Sequence, residues 1–142
     1  MPRGLGDVRV SGRRPALPAA TVRRVVHGVL RGERRNADIS VTFLGAVSMR
    51  RLNDEYLGHD RSTDVISFGL AVPGGRLAGD VYVCRAVAAR NARQHGVPLR
   101  QELVRLVIHG MLHVLGYDHP DGDHRIRSPM WRRQERYVKR FG

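Results

Sequence analysis

The chain has 142 residues and a mass of 16.0 kDa, which sets an expectation of one domain. At 42% hydrophobic it can bury a core, which excludes wholesale disorder. No run of about 18 apolar residues offers a membrane span, and Cys84, alone, excludes an internal disulfide, so a reducing cytoplasm is the expected compartment. The formal net charge is +12.

Residues 1–17 read as a basic, partly loose segment, and residues 18–142 as a single domain. Arg13-Arg14 has no hydrophobic stretch behind it and reads as charge, not as an export signal. Val8-Arg9-Val10 is a short first strand. Pro18 to Leu30 is expected to be a helix, with Ala19, Val22, Val25, Val26 and Val29 on one side. Asp38 to Leu44 alternates polar and apolar residues and reads as a strand. Ser48 is placed as the cap of a helix to about Tyr56, ended by Gly58. Asp64 to Leu70 and Leu77 to Cys84 are two further strands, joined as a hairpin by Pro73-Gly74-Gly75. Ala86 to Gln94 is a helix closed by Gly96. Leu99 to Leu115 is apolar nearly all round and is expected to be a buried central helix. Ser128-Pro129 caps a last basic helix to about Arg140. The order predicts an α+β (α/β-like) domain. A mixed sheet of about four strands packs against about five helices, with a metal site at the end of the buried one.

The charge is unevenly placed. Residues 1–35 carry nine arginines against two acids, a net +7, and residues 125–142 carry seven cations against Glu135, a net +6. The stretch between them is nearly balanced. Basic ends of this kind favour a polyanion, and nucleic acid is the abundant one. Of the 25 cations 24 are arginine, a skew that a GC-rich genome also explains, so composition alone does not decide for nucleic acid.

Three of the seven histidines carry the chemistry. His109 and His113 are four residues apart on the central helix, so their rings leave one face about 6 Å apart along the axis. His119 follows after Gly116, a residue able to take the left-handed conformation that ends a helix and turns the chain back. Three histidines with an open fourth position describe a catalytic zinc site holding one ion per chain. The alternative is unrelated histidines in a buried helix. The spacing equals that of zinc peptidases with H-E-x-x-H-x-x-G-x-x-H, but the position of their glutamate base is occupied by Gly110. Ser128-Pro129-Met130 is read as the start of the last helix in preference to a Met-turn.

His109 to His119 reads H-G-M-L-H-V-L-G-Y-D-H. Upstream lie Leu52, Asn53, Tyr56, Gly58, Asp60, Thr63, Asp64, Val65, Ile66, Ser67 and Phe68, then Gly79-Asp80-Val81. On these motifs the chain resembles the YbeY-type rRNA maturation family of metal-dependent single-strand endoribonucleases, from roughly residue 38 to residue 140. The resemblance implies zinc on His109, His113 and His119, action in ribosomal RNA 3′-end maturation and on defective ribosomes, and single-stranded RNA and the small ribosomal subunit as partners. It also implies a cytoplasmic site of action, with no membrane and no covalent cofactor. One departure stands out: many members carry an arginine where this chain has Leu57. Arg61, four residues on, is the candidate replacement, with a solvated loop residue as the alternative.

The expected chemistry is phosphodiester hydrolysis, in which zinc stabilises charge on a phosphoryl oxygen. With Gly110 offering no base, the nucleophile is either zinc-activated water or the RNA 2′-hydroxyl. Asp118 is a candidate to orient a histidine, or else a turn carboxylate. Asp64 and Asp80 read as turn or strand-edge residues. His27 reads as a packing residue, and His59, His95 and His124 as solvated. Tyr117 and Trp131 read as packing residues with base stacking as the alternative. Arg132, Arg133 and Arg136 on the last helix are the candidate RNA contacts. Two other readings remain: a zinc peptidase-like hydrolase, and a noncatalytic ribosome-assembly factor in which zinc only staples the fold.

Overall fold

A computed structural model describes residues 4–12, 16–57, 65–71, 77–118 and 128–142. The elements run β1 (Val8–Ser11), α1 (Ala19–Glu33), β2 (Ala37–Leu44), α2 (Ala46–Leu57), β3 (Val65–Ala71), β4 (Leu77–Cys84), α3 (Arg85–His95), α4 (Leu99–Val114) and α5 (Pro129–Phe141). The four strands form one sheet in the order β1-β2-β4-β3. β1 and β4 both run parallel to β2, and β3 runs antiparallel to β4. The mixed sheet and five helices are those expected from the sequence. Residues 4–12 lie along β2: the Ala37 N–H donates to the Leu5 carbonyl at 2.9 Å and the Ile39 N–H to that of Asp7 at 2.8 Å.

Strand alternation separates two apolar layers. Ala37, Ile39, Val41, Phe43, Val81 and Val83 face α1 and α4 in the main core. On the other face Cys84 and Ile66 meet Met49 of α2 and Val87 of α3, with Leu44, Leu52, Phe68 and Tyr82 half-buried around them.

Two helix boundaries differ from the sequence reading. α2 starts at Ala46, and the Met49 N–H bonds the Gly45 carbonyl at 3.0 Å, so Ser48 lies inside the first turn and does not cap it. α1 continues past Leu30 to Glu33 and stops where Arg34 turns left-handed at φ 56°. Gly32 lies within the helix and passes close to Tyr137: a Cβ there would lie 2.3 Å from the Tyr137 hydroxyl. The extra turn carries Glu33 to the functional end of the molecule. At α5 the expected cap is present, with the Trp131 N–H donating to Ser128 Oγ at 3.1 Å and Met130 buried. The expected turn at Pro73–Gly75 and the stop at Gly58 lie outside the described residues.

α4 is enclosed by α1, α3, α5, β3 and β4, and 11 of its 16 residues are buried. Its seat on the sheet is made by glycines. A Cβ at Gly110 would lie 2.5 Å from Val81 Cγ1, and one at Gly79 would lie 2.5 Å from Val114 Cγ1. No side chain larger than hydrogen fits at either position without moving a buried valine. Gly110 therefore faces the sheet, about 100° round the helix from His109. A glutamate there would enter the core, so the peptidase arrangement does not fit this helix.

Candidate metal centre

The i, i+4 spacing on α4 does what helix geometry requires. The His109 and His113 rings meet edge to face with centroids 4.6 Å apart, and their Nε2 atoms lie 3.1 Å apart. Two nitrogens on one tetrahedral zinc, each at about 2.0–2.1 Å, are separated by roughly 3.3–3.4 Å. The observed pair is within a few tenths of an ångström of that. The outer nitrogens are held as well: His109 Nδ1–H donates to Gln134 Oε1 at 2.6 Å and His113 Nδ1–H to the Tyr117 carbonyl at 3.0 Å. Both acceptors are oxygens that cannot donate, so each ring carries its proton on Nδ1 and turns the Nε2 lone pair towards the other ring. This donor set fits a zinc ion. Among the described residues no third His, Cys, Asp or Glu completes a set, and His119 lies outside them.

Gly116 ends α4 as the sequence implies. Its φ is 102°; its N–H bonds the His113 carbonyl at 3.0 Å, and the Tyr117 N–H bonds the Leu112 carbonyl at 2.9 Å. This pair of bonds is a Schellman motif. It brings the Tyr117 carbonyl back over the last turn, where His113 finds it, so the helix stop and the orientation of the second histidine are one device.

Tyr117 is anchored in turn. Its hydroxyl donates to Glu33 Oε1 at 2.6 Å, and the Tyr137 hydroxyl and Arg133 Nη1 donate to Glu33 Oε2, the latter at 3.0 Å. The Arg133 guanidinium also lies over the Tyr117 ring, 5.2 Å from its centroid. Burial alone would raise the Glu33 carboxyl, but bonds from Tyr117, Tyr137 and Arg133 hold it below the ordinary carboxylate range. Burial, then the bond to Glu33, pushes the Tyr137 hydroxyl up to about 12.

Sequence reasoning missed Gln134 and Glu33. Gln134 is 1% exposed. Its signal was a polar residue in the stripe Met130, Gln134, Tyr137, Val138, which is otherwise apolar and buried. Glu33 gave no such signal, because its partners are 84 to 104 residues away.

The structure leaves Asp118 exposed, just past the helix stop. Arg132 and Arg136 are exposed on α5, whereas Arg133 is committed to Glu33. Arg61, Asp64, His59 and His124 lie outside the described residues. Trp131 and His95 line a cavity of about 520 Å³ that reaches His109. His27 Nε2 sits 3.0 Å from the Gly6 carbonyl, a packing role as expected. The two basic ends of the chain meet in space: the Phe141 ring has Arg24 of α1 at 5.9 Å and Arg140 of α5 at 5.4 Å from its centroid. Gly28 makes this possible, since a Cβ there would lie 2.1 Å from that ring.

The chain is similar to proteins already known. A protein from Chlorobium luteolum named endoribonuclease YbeY is 38% identical over 131 residues, covering 90% of this chain and 92% of its own. One of the same name from Stenotrophomonas maltophilia is 39% identical, covering 81% of this chain and 78% of its own. The solution structure of TM1509 from Thermotoga maritima superposes with a TM-score of 0.65 at 29% identity, covering 93% of this chain and 87% of its own. The family model described as endoribonuclease YbeY matches residues 6–142, and the chain belongs to that family.

Proposed function

We propose that this chain is a zinc-dependent endoribonuclease that cleaves single-stranded RNA, acting on ribosomal RNA ends at the small subunit in the cytoplasm. The observation that carries the metal reading is the pair of Nε2 atoms 3.1 Å apart, each turned inward by a bond at Nδ1. His109, His113 and His119 would hold the ion, one per chain. When bound it supplies a Lewis acid that offsets charge building on a phosphoryl oxygen.

The remaining work falls to the chain itself. Gly110 faces Val81, so the position that carries the peptidase glutamate supplies no base. Arg61 is assigned to the phosphate, where a guanidinium donates two parallel bonds. Asp118 is assigned to orienting a histidine. Family membership supports RNA as the substrate, and the joined arginine surface of α1 and α5 supports a polyanion. Among the described residues no helix is long and apolar enough to cross a membrane.

Incubating the purified chain with single-stranded RNA, duplex RNA and casein, with and without chelator, tests this. Chelator-sensitive cleavage of the single strand alone is expected. Cleavage of casein overturns the nuclease reading. Binding of RNA without cleavage favours a noncatalytic assembly factor.

A further inference from the structure

His109 is the more buried of the two described histidines, at 6% exposed, and its Nδ1 meets the side-chain amide of Gln134. A glutamine is ambiguous in this role, because its amide can present either an acceptor or a donor to the ring. Presenting the donor would force His109 to accept at Nδ1 and carry its proton on Nε2, closing that nitrogen to a metal. Something must therefore fix the amide.

The next residue does so. Gln134 Nε2 donates to Glu135 Oε2 at 3.0 Å. Glu135 is held by Arg105: Nε lies 3.0 Å from Oε2 and 3.3 Å from Oε1, and Nη2 lies 3.0 Å from Oε1. Arg105 also reaches Glu102 Oε1 at 3.5 Å. A carboxylate that takes three bonds from a guanidinium acts as an acceptor. The nitrogen end of the amide must then face Glu135, and the oxygen end must face His109.

We propose that Gln134 is a positioning residue for His109, and that the Arg105–Glu135 ion pair, acting through the Gln134 amide, selects which nitrogen of His109 faces the metal. This rests on the zinc reading above. The polar chain runs Arg105, Glu135, Gln134, His109, and every link but the last is made outside the ligand set. Its expected consequence is on metal affinity, in the range seen when partners of a ligating histidine are removed.

The test uses the full chain loaded with zinc, read by competition with a chelator and by long-range proton–nitrogen spectra of the histidines. Gln134→Leu is expected to weaken zinc binding about 10- to 100-fold and to remove the slowly exchanging Nδ1 proton of His109. Gln134→Glu keeps an acceptor for His109 but sets a second carboxylate against Glu135, so it is expected to restore the Nδ1 proton and part of the affinity. Glu135→Ala lies at a more exposed position, with the Glu135 side chain 31% exposed; it is expected to weaken zinc in the same direction by less. Parent-like affinity in both Gln134→Leu and Glu135→Ala overturns the proposal. Equal losses in Gln134→Leu and Gln134→Glu also overturn it, since that pattern reports packing alone. If Gln134→Leu does not fold, parent-like affinity in Glu135→Ala is sufficient to overturn it. A parent chain that binds no zinc through His109 overturns the metal reading itself, a result distinct from any of these.

Discussion

Arg133 Nη1 lies 3.0 Å from Glu33 Oε2, across one hundred residues of chain. Glu33 takes Tyr117 and Tyr137 as well, and its side chain is 5% exposed. One carboxylate at the end of α1 thus ties together the segment after α4 and the middle of α5. The backbone oxygen that orients His113 belongs to Tyr117, one of the residues so tied.

Acid should therefore loosen this end of the molecule. The folded-state pKa of Glu33 is lowered, so its contribution is present above the unfolded carboxylate value and is lost as pH falls through the folded one. Stability measured by urea unfolding should decline from about pH 4.5 downward. Glu33→Gln should cost about 1–3 kcal/mol at pH 7 and flatten that decline. Tyr137 behaves oppositely: its pKa is raised to about 12, so its contribution is intact below pH 10 and is lost as pH rises towards 12. Parallel acid limbs for parent and Glu33→Gln would contradict this account of the cluster.

Three of the arginines of α5, Arg132, Arg133 and Arg136, should separate by experiment. Arg132→Ala and Arg136→Ala should weaken RNA binding, each reducing the log–log salt slope by about 0.7, with stability within about 0.5 kcal/mol of the parent. Arg133→Ala should cost about 1–3 kcal/mol, because it strips a charged partner from a buried carboxylate. Salt titrations of RNA affinity and urea midpoints on the same three proteins decide it. Equal slopes and unchanged stability in all three would count against the assignment.

Residues that act locally were legible in the sequence; residues that act across the fold were not. His109 and His113 follow from the helical period, Gly116 from the need for a left-handed stop, and Ser128-Pro129 from capping rules. The alternation in β2 and the apolar run of α4 gave the layers. Gln134 and Glu33 acquire their roles from partners 25 and 84 to 104 residues away, which no local pattern encodes. Gly110 shows a third case. The missing glutamate was evident from the motif, but the close approach of α4 to Val81 appears only once the sheet is assembled.

That close approach can be measured. Gly110→Ala gains about 1 kcal/mol of helix propensity but places a methyl 2.5 Å from Val81 Cγ1 in the core. Overpacking costs typically about 1–3 kcal/mol, so the net change should be destabilising. Gly110→Ala with Val81→Ala should recover part of the loss, which a double-mutant cycle would show as coupling. A stabilised Gly110→Ala would mean that the helix sits further from the sheet.

Arg61→Ala should lower RNA cleavage substantially while leaving zinc stoichiometry and melting temperature near those of the parent. Arg61→Lys should restore little, since a point charge lacks the guanidinium fork. If Arg61→Ala cleaves like the parent, the role lies elsewhere, and Leu57→Arg becomes the gain-of-function test.

The most direct measurement is zinc content paired with cleavage of single-stranded RNA, made on the parent and on His113→Ala. The parent should carry one zinc per chain, lose cleavage on chelation and regain it when zinc is restored. His113→Ala should carry little zinc and cleave little. Full zinc content in His113→Ala, or parent cleavage indifferent to chelator, would contradict the metal centre.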